Sequence, residues 1–294
     1  MIRSSGIILL FLLCGLLASG APGGRPETAP NLCTIPLTRA VRIPVSMLAA
    51  QDTAKSSSAA PTNLMISLGA EDELPEGPDG FDVLEGGGLL ITDPLQSRVV
   101  SFASDGKFLK AWNLGFAADS LTVIANGMVL VREASTGQLH AFDREGQARP
   151  AEEATLPVRA EARVQPGKNR GEVVRTAANG THASPLEIQF DKPGLALVSL
   201  ESLAIDKKGD TYVALETTAG GGSPDAINLN KYVRRYSSDG KLLCEIADIP
   251  LDYYVAPVDE LRVRNGLIYQ LQTTKSEVRV NVWDTNQLCS RPSH

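Results

Sequence analysis

Residues 81–112, FDVLEGGGLLITDPLQSRVVSFASDGKFLKAW, fit four short strand-like runs and three turns into about 32 residues. Phe81-Asp82-Val83 and Leu89-Leu90-Ile91 flank the Gly86-Gly87-Gly88 turn, and Asp93-Pro94 closes the second run. Asp105-Gly106 then stands between Val99-Val100-Ser101-Phe102 and Phe108-Leu109 as a hairpin signal. No helix fits into so short a stretch with so many breakers. The segment is predicted to be one antiparallel four-stranded sheet.

The same pattern recurs along the chain. Runs like Phe81-Asp82-Val83 return at Leu121-Thr122-Val123-Ile124, Leu203-Ala204-Ile205-Asp206 and Leu261-Arg262-Val263, each followed by a glycine (Gly127, Gly209, Gly266). The steps are about 40, about 82 and about 58 residues, a spacing of blade-type repeats. The double step holds a degenerate unit, residues 160–200, with the runs EARV, GEVVRT, PLEIQF and LALVSL. The long last step carries a Gly-rich insertion at residues 219–230. Second halves recur as well, at residues 98–102, 139–142, 232–236 and 278–283.

The predicted fold is therefore all-β: a single β-propeller of four-stranded antiparallel blades. Five units can be counted after the leader, and residues 32–69 decide whether there is a sixth. Six blades are favoured over five, with the ring closed by strands from both chain ends, which leaves no long bare sheet edge.

The unit at residues 93–108 resembles an NHL repeat. Asp93 ends the second strand, Arg98 opens the third, and the Asp105-Gly106 turn leads to the fourth; residues 203–214 match the opening half of the same repeat. The resemblance covers roughly two-thirds of the mature chain. It implies fold more than chemistry, since such repeats are shared with enzymes of the gluconolactonase and strictosidine synthase type.

The N-terminus bounds the compartment. Residues 1–20 carry one positive residue, Arg3, an apolar run at residues 7–17 and small residues after it, which reads as a cleaved secretory signal. The apolar run is shorter than the roughly 20 residues needed to span a bilayer. Leu12-Leu13 before Cys14 lack the small residues of a lipoprotein signal. The expected organisation is a signal peptide (1–20), a disordered leader rich in Ala, Pro and Gly (21–31), the propeller (32–290) and a short tail (291–294). The chain is then secreted or periplasmic, with no membrane insertion after signal cleavage. A net charge of -6 argues against nucleic acid and anionic lipid surfaces.

Catalytic signals are sparse. Among three histidines no pair has metal-ligand spacing: His140 falls in a strand, His182 in a turn, and His294 is terminal. There is no G-x-S-x-G, Cys-x-x-Cys or phosphate loop. Asn179-Gly180-Thr181 reads as a turn before it reads as a glycosylation acceptor. The leading expectation is a non-catalytic propeller that binds a protein, peptide or glycan through its loops. The alternative is a metal-assisted lactone or ester hydrolase resembling gluconolactonase or strictosidine synthase.

Two groups of residues carry specific expectations. An acid stands two residues before four of the inner-strand runs: Asp79, Asp119, Glu201 and Asp259. These acids either accept hydrogen bonds within their own turns or converge at one mouth of the central channel, where oxygen ligands would suit calcium or magnesium. Asp82 and Asp206 are further inward candidates, with Thr122 and Arg262 interrupting a regular ring. The mature chain has three cysteines, Cys33, Cys244 and Cys289. Ring closure would bring its two ends together, so Cys33 is predicted to bond Cys289, leaving Cys244 a buried thiol.

Overall fold

The structure, a computed structural model, describes residues 33–48, 62–69, 73–124, 126–150, 160–165, 167, 169–175, 184–219 and 228–287. These belong to one compact unit, Leu32–His294. The expected signal, leader and tail, residues 49–61, residues 220–227 of the expected Gly-rich insertion, Asn179, His182 and Cys289 lie outside the described residues, while Ala219, Leu229 and Asn230 of that insertion fall in strands.

The described chain is all-β, and its strands gather into successive sheets. The first antiparallel sheet contains β3 (Phe81–Val83), β4 (Leu89–Asp93), β5 (Arg98–Phe102) and β6 (Phe108–Asn113) in that order, as the repeat predicts. Glycine at Gly86 and Gly87, with φ of 110° and 83°, lets the first turn adopt a left-handed backbone that L-residues resist. The second sheet holds β7 (Ala118–Val123), β8 (Val129–Glu133), β9 (Leu139–Phe142) and β10 (Ala148–Arg149). The fourth holds β14 (Leu195–Ile205), β15 (Thr211–Ala219), β16 (Leu229–Tyr236) and β17 (Leu242–Ile246).

The third sheet departs from expectation. It has three strands, β11 (Glu161–Gln165), β12 (Arg170–Val174) and β13 (Leu186–Gln189). The run LALVSL, expected to be its fourth, instead continues through Leu203 as the long β14 and opens the next sheet. Register shifts between Leu197 and Ser199 and between Ser202 and Ala204 let this strand bend while it stays paired with β15.

The last sheet joins distant parts of the chain. β18 (Leu261–Arg264), β19 (Leu267–Thr273) and β20 (Glu277–Asp284) are followed by β1 (Arg39–Leu48), antiparallel to β20 with Val41 opposite Val280. β2 (Leu64–Ser67) adds a parallel fifth strand on β1. Arg39–Leu48 and Leu64–Ser67 thus complete the sheet of the last unit, and five sheets are present among the described residues.

Burial follows the sheet faces. One cluster packs Val41, Ile43, Val280 and Tyr269 of the last sheet on Phe81, Ile91 and Phe102 of the first. A second joins Leu90, Val99 and Trp112 of the first sheet to Leu121 and Val131 of the next. The third and fourth sheets share Ile188, Phe190, Val213 and Tyr232, and the fourth and last share Tyr212, Ile246, Ile268 and Trp283. Each fully buried side chain of this size contributes about 1.5–3 kcal/mol through burial, so these seams between faces hold the sheets together. Several four-stranded antiparallel sheets with faces packed on their neighbours are consistent with a propeller.

Candidate functional site

The segments entering β3, β7 and β18 meet. Asp259 N donates to Asp79 O at 3.0 Å, and Ser120 Oγ donates to a carboxylate oxygen of Asp259. The approach is close because of Gly80. A Cβ at that position would lie 2.7 Å from Ser120 Cα and 2.9 Å from Asp119 O, so only glycine admits the contact without movement.

Three of the four expected acids, Asp79, Asp119 and Asp259, are brought together here. Asp119 sits at the register shift between Ala118 and Ser120, and this irregularity brings its carboxylate 2.8 Å from Arg132 Nε. Asp259 lies 2.6 Å from Arg262 Nη2. Asp79 has neither arginine; burial first, then the negative fields of Asp119 and Glu76, push its carboxyl up to about 6. Glu201 stands exposed on β14, opposite Ala214. Among the described residues no group of three or more His, Cys, Asp or Glu is arranged to hold a metal ion.

The arginines of β18 shape the interior beneath these acids, and the sequence reading gave them no role beyond breaking a ring. Arg262 and Arg264 alternate on one strand, so both side chains leave the same face. Arg262 Nη2 donates to Leu121 O at 3.2 Å, while Arg264 donates from Nε to Val83 O at 3.1 Å and from Nη2 to Val123 O at 3.3 Å. Asp82 completes the set, accepting from Val123 N at 2.7 Å and lying 3.4 Å from Arg264 Nη2. Three inner strands are tied by guanidinium–carbonyl bonds. The Leu-Arg-Val-Arg alternation is the one sequence signal that could have found them.

A second polar cluster anchors the chain segment that leads into β18. Lys231 lies 2.8 Å from Glu216 and is also bonded to Glu260. Burial lowers the Lys231 ammonium, but the two carboxylates outweigh it and raise it above its usual range. Tyr253 donates to Glu260; Gln270 Nε2 donates to Tyr253 Oη and Pro250 O, each at 2.6 Å; and Gln272 Nε2 donates to Asp252 Oδ1 at 2.6 Å. Burial and Glu260 push the Tyr253 phenol well above its ordinary value. These groups are consumed in fixing a loop.

His140 is half-buried, with Nε2 3.1 Å from Glu133 Oε2 and its ring stacked on Phe116 at 4.3 Å. Cys244 is a buried free thiol. Cys33 packs beside the cluster of Tyr212 and Trp283, and the expected bond to Cys289 falls outside the described residues.

No protein-family model matches the chain. No curated protein matches it either. Among solved structures, a member of the DUF4221 family from Bacteroides vulgatus is 10% identical with a TM-score of 0.32, covering 86% of this chain and 98% of its own. A protein of unknown function from Bacteroides thetaiotaomicron is 9% identical with a TM-score of 0.33, covering 83% and 76%. Virginiamycin B lyase from Staphylococcus aureus is 14% identical with a TM-score of 0.29, covering 66% and 77%.

Proposed function

We propose that this chain is an extracytoplasmic β-propeller that acts by binding a protein, peptide or glycan through its loops rather than by catalysis. In this reading each sheet is a blade of NHL-like design, and β1 closes the ring on β20. The observation that carries it is the state of the charged groups where the inner strands begin. Arg132, Arg262 and Lys231 are each bonded to a carboxylate, so they brace the scaffold instead of facing a substrate. Two connectors, of which residues 68–69, 73–80 and 247–260 are described, emerge at this same place and present exposed side chains. The signal-like residues 1–20 support an extracytoplasmic location, and a Cys33–Cys289 bond would suit it.

The test applies the purified mature chain to peptide and glycan arrays and, in parallel, to a panel of lactones and aryl esters with and without calcium or magnesium. Saturable binding without turnover is expected. Metal-dependent hydrolysis abolished by Asp79→Asn would replace this reading with the hydrolase.

A further inference from the structure

We propose that the rim formed by residues 68–69, 73–80 and 247–260 docks a cationic peptide segment that also carries apolar side chains. This rests on the binding function above and assigns its surface and partner class.

The apolar part of the rim is the first reason. Leu74 is 87% exposed, Val258 55% and Leu68 47%. A single exposed leucine needs no explanation, but these three stand on two connectors that touch. Besides the Asp259–Asp79 backbone bond, a Cβ on Gly77 would lie 3.3 Å from Val255 Cγ2.

The described parts of both connectors are also tied to neighbouring strands. Ser67 N donates to Glu76 O at 2.8 Å, Tyr254 N to Thr273 O at 2.9 Å and Val255 N to Thr273 Oγ1 at 2.8 Å. A surface already fixed loses little entropy on binding, so exposed leucine and valine there can contribute most of their burial to affinity.

Charge selects the partner. Residues 73–80 contain Glu73, Glu76 and Asp79, and residues 247–260 contain Asp248, Asp252, Asp259 and Glu260; neither segment has a Lys, Arg or His. Asp259 and Glu260 are neutralised by Arg262 and Lys231. Glu73, Glu76 and Asp248 are exposed and have no basic partner among the described residues. After burial and Asp119, Glu76 of this segment adds to the rise of the Asp79 carboxyl. Lysine or arginine in a partner would relieve the repulsion, and its apolar residues would cover Leu74 and Val258. A bare cation would leave those side chains in water.

The experiment measures fluorescence anisotropy of three short labelled peptides with the mature chain: alternating Leu and Lys, alternating Leu and Glu, and alternating Ser and Lys. The Leu–Lys peptide is expected to bind saturably and to weaken on raising salt from about 0.05 to about 0.5 M. Ser–Lys should bind at least about tenfold more weakly, and Leu–Glu not at all. The variants Leu74→Ser with Val258→Ser, and Glu73→Gln with Glu76→Gln, change exposed side chains and should each weaken Leu–Lys binding about tenfold at a melting temperature no lower than that of the wild type. Absence of Leu–Lys binding, equal binding of Leu–Glu, or undiminished binding by either variant would overturn the assignment. An array ligand that binds wild type and the Leu74→Ser, Val258→Ser variant alike would overturn this rim while leaving the binding function standing; metal-dependent turnover with no ligand bound would remove both.

Discussion

Replacing Asp79 with Asn should stabilise the protein at neutral pH and do nothing in acid. The folded carboxyl titrates at about 6, above the ordinary 3.8, because it is buried beside Asp119 and Glu76. The folded chain therefore holds this proton more tightly than the unfolded chain, and stability falls as pH rises between about 4 and 6. Above about pH 6 the cost of the ionised group is fully present; below about 4 both states are protonated and the cost is gone. A shift of about two units corresponds to about 3 kcal/mol, and partial exposure of the group reduces this to about 1–2 kcal/mol. For a domain of this size, that is roughly 2–8 °C in melting temperature. Thermal unfolding of wild type and Asp79→Asn at about pH 7.5 and about pH 4 reads the difference directly. A variant destabilised equally at both values, or one whose advantage grows in acid, would refute the burial-and-repulsion account.

Three further outcomes follow from individual contacts. Arg98→Met strands Asp93, which is buried and bonded to Arg98 at 2.9 Å, and should cost about 3–5 kcal/mol in urea unfolding; adding Asp93→Asn should recover most of the loss. Gly80→Ala drives a methyl into the Asp119–Ser120 backbone and should cost about 1–3 kcal/mol, whereas Gly115→Ala, with open space around it, should cost only the strain of its φ of 83°. The Cys244 thiol, pushed up to about 11 by burial, should react with a disulfide reagent only on unfolding, and non-reducing peptide mapping should recover a Cys33–Cys289 peptide; a bridged Cys244 would contradict both statements.

The sheets were legible in the sequence where turn chemistry and alternation agree. Asp93, Arg98 and Asp105-Gly106 punctuate β4, β5 and β6 at the predicted places. LALVSL was misplaced because its alternation continues past Ser199, and the bulges that let one strand run to Ile205 leave no mark on composition. The acids at Asp79, Asp119 and Asp259 stand out by their spacing, but the arginine pairing of Asp119 and Asp259 does not. Arg132 reaches Asp119 from another strand, and Ser120 reaches Asp259 across 139 positions of sequence. Contacts of that kind are set by how sheets pack, which a repeat pattern does not encode. The arginines of β18 were in plain view as an alternation, yet basic residues on an inner strand look out of place until the carbonyls they bond are known.

The central proposal is that the sheets form one ring, closed by β1 on β20, that carries the acidic and apolar rim. Native-state hydrogen exchange resolved to single amides tests it most directly. The account predicts that β1 amides paired to β20, in the register of Val41 with Val280, exchange only through global unfolding and at the same free energy as those of β19. Fast local exchange across Arg39–Leu48, with β19 and β20 still protected, would show that the N-terminal strand does not hold the last sheet and would contradict the closed ring.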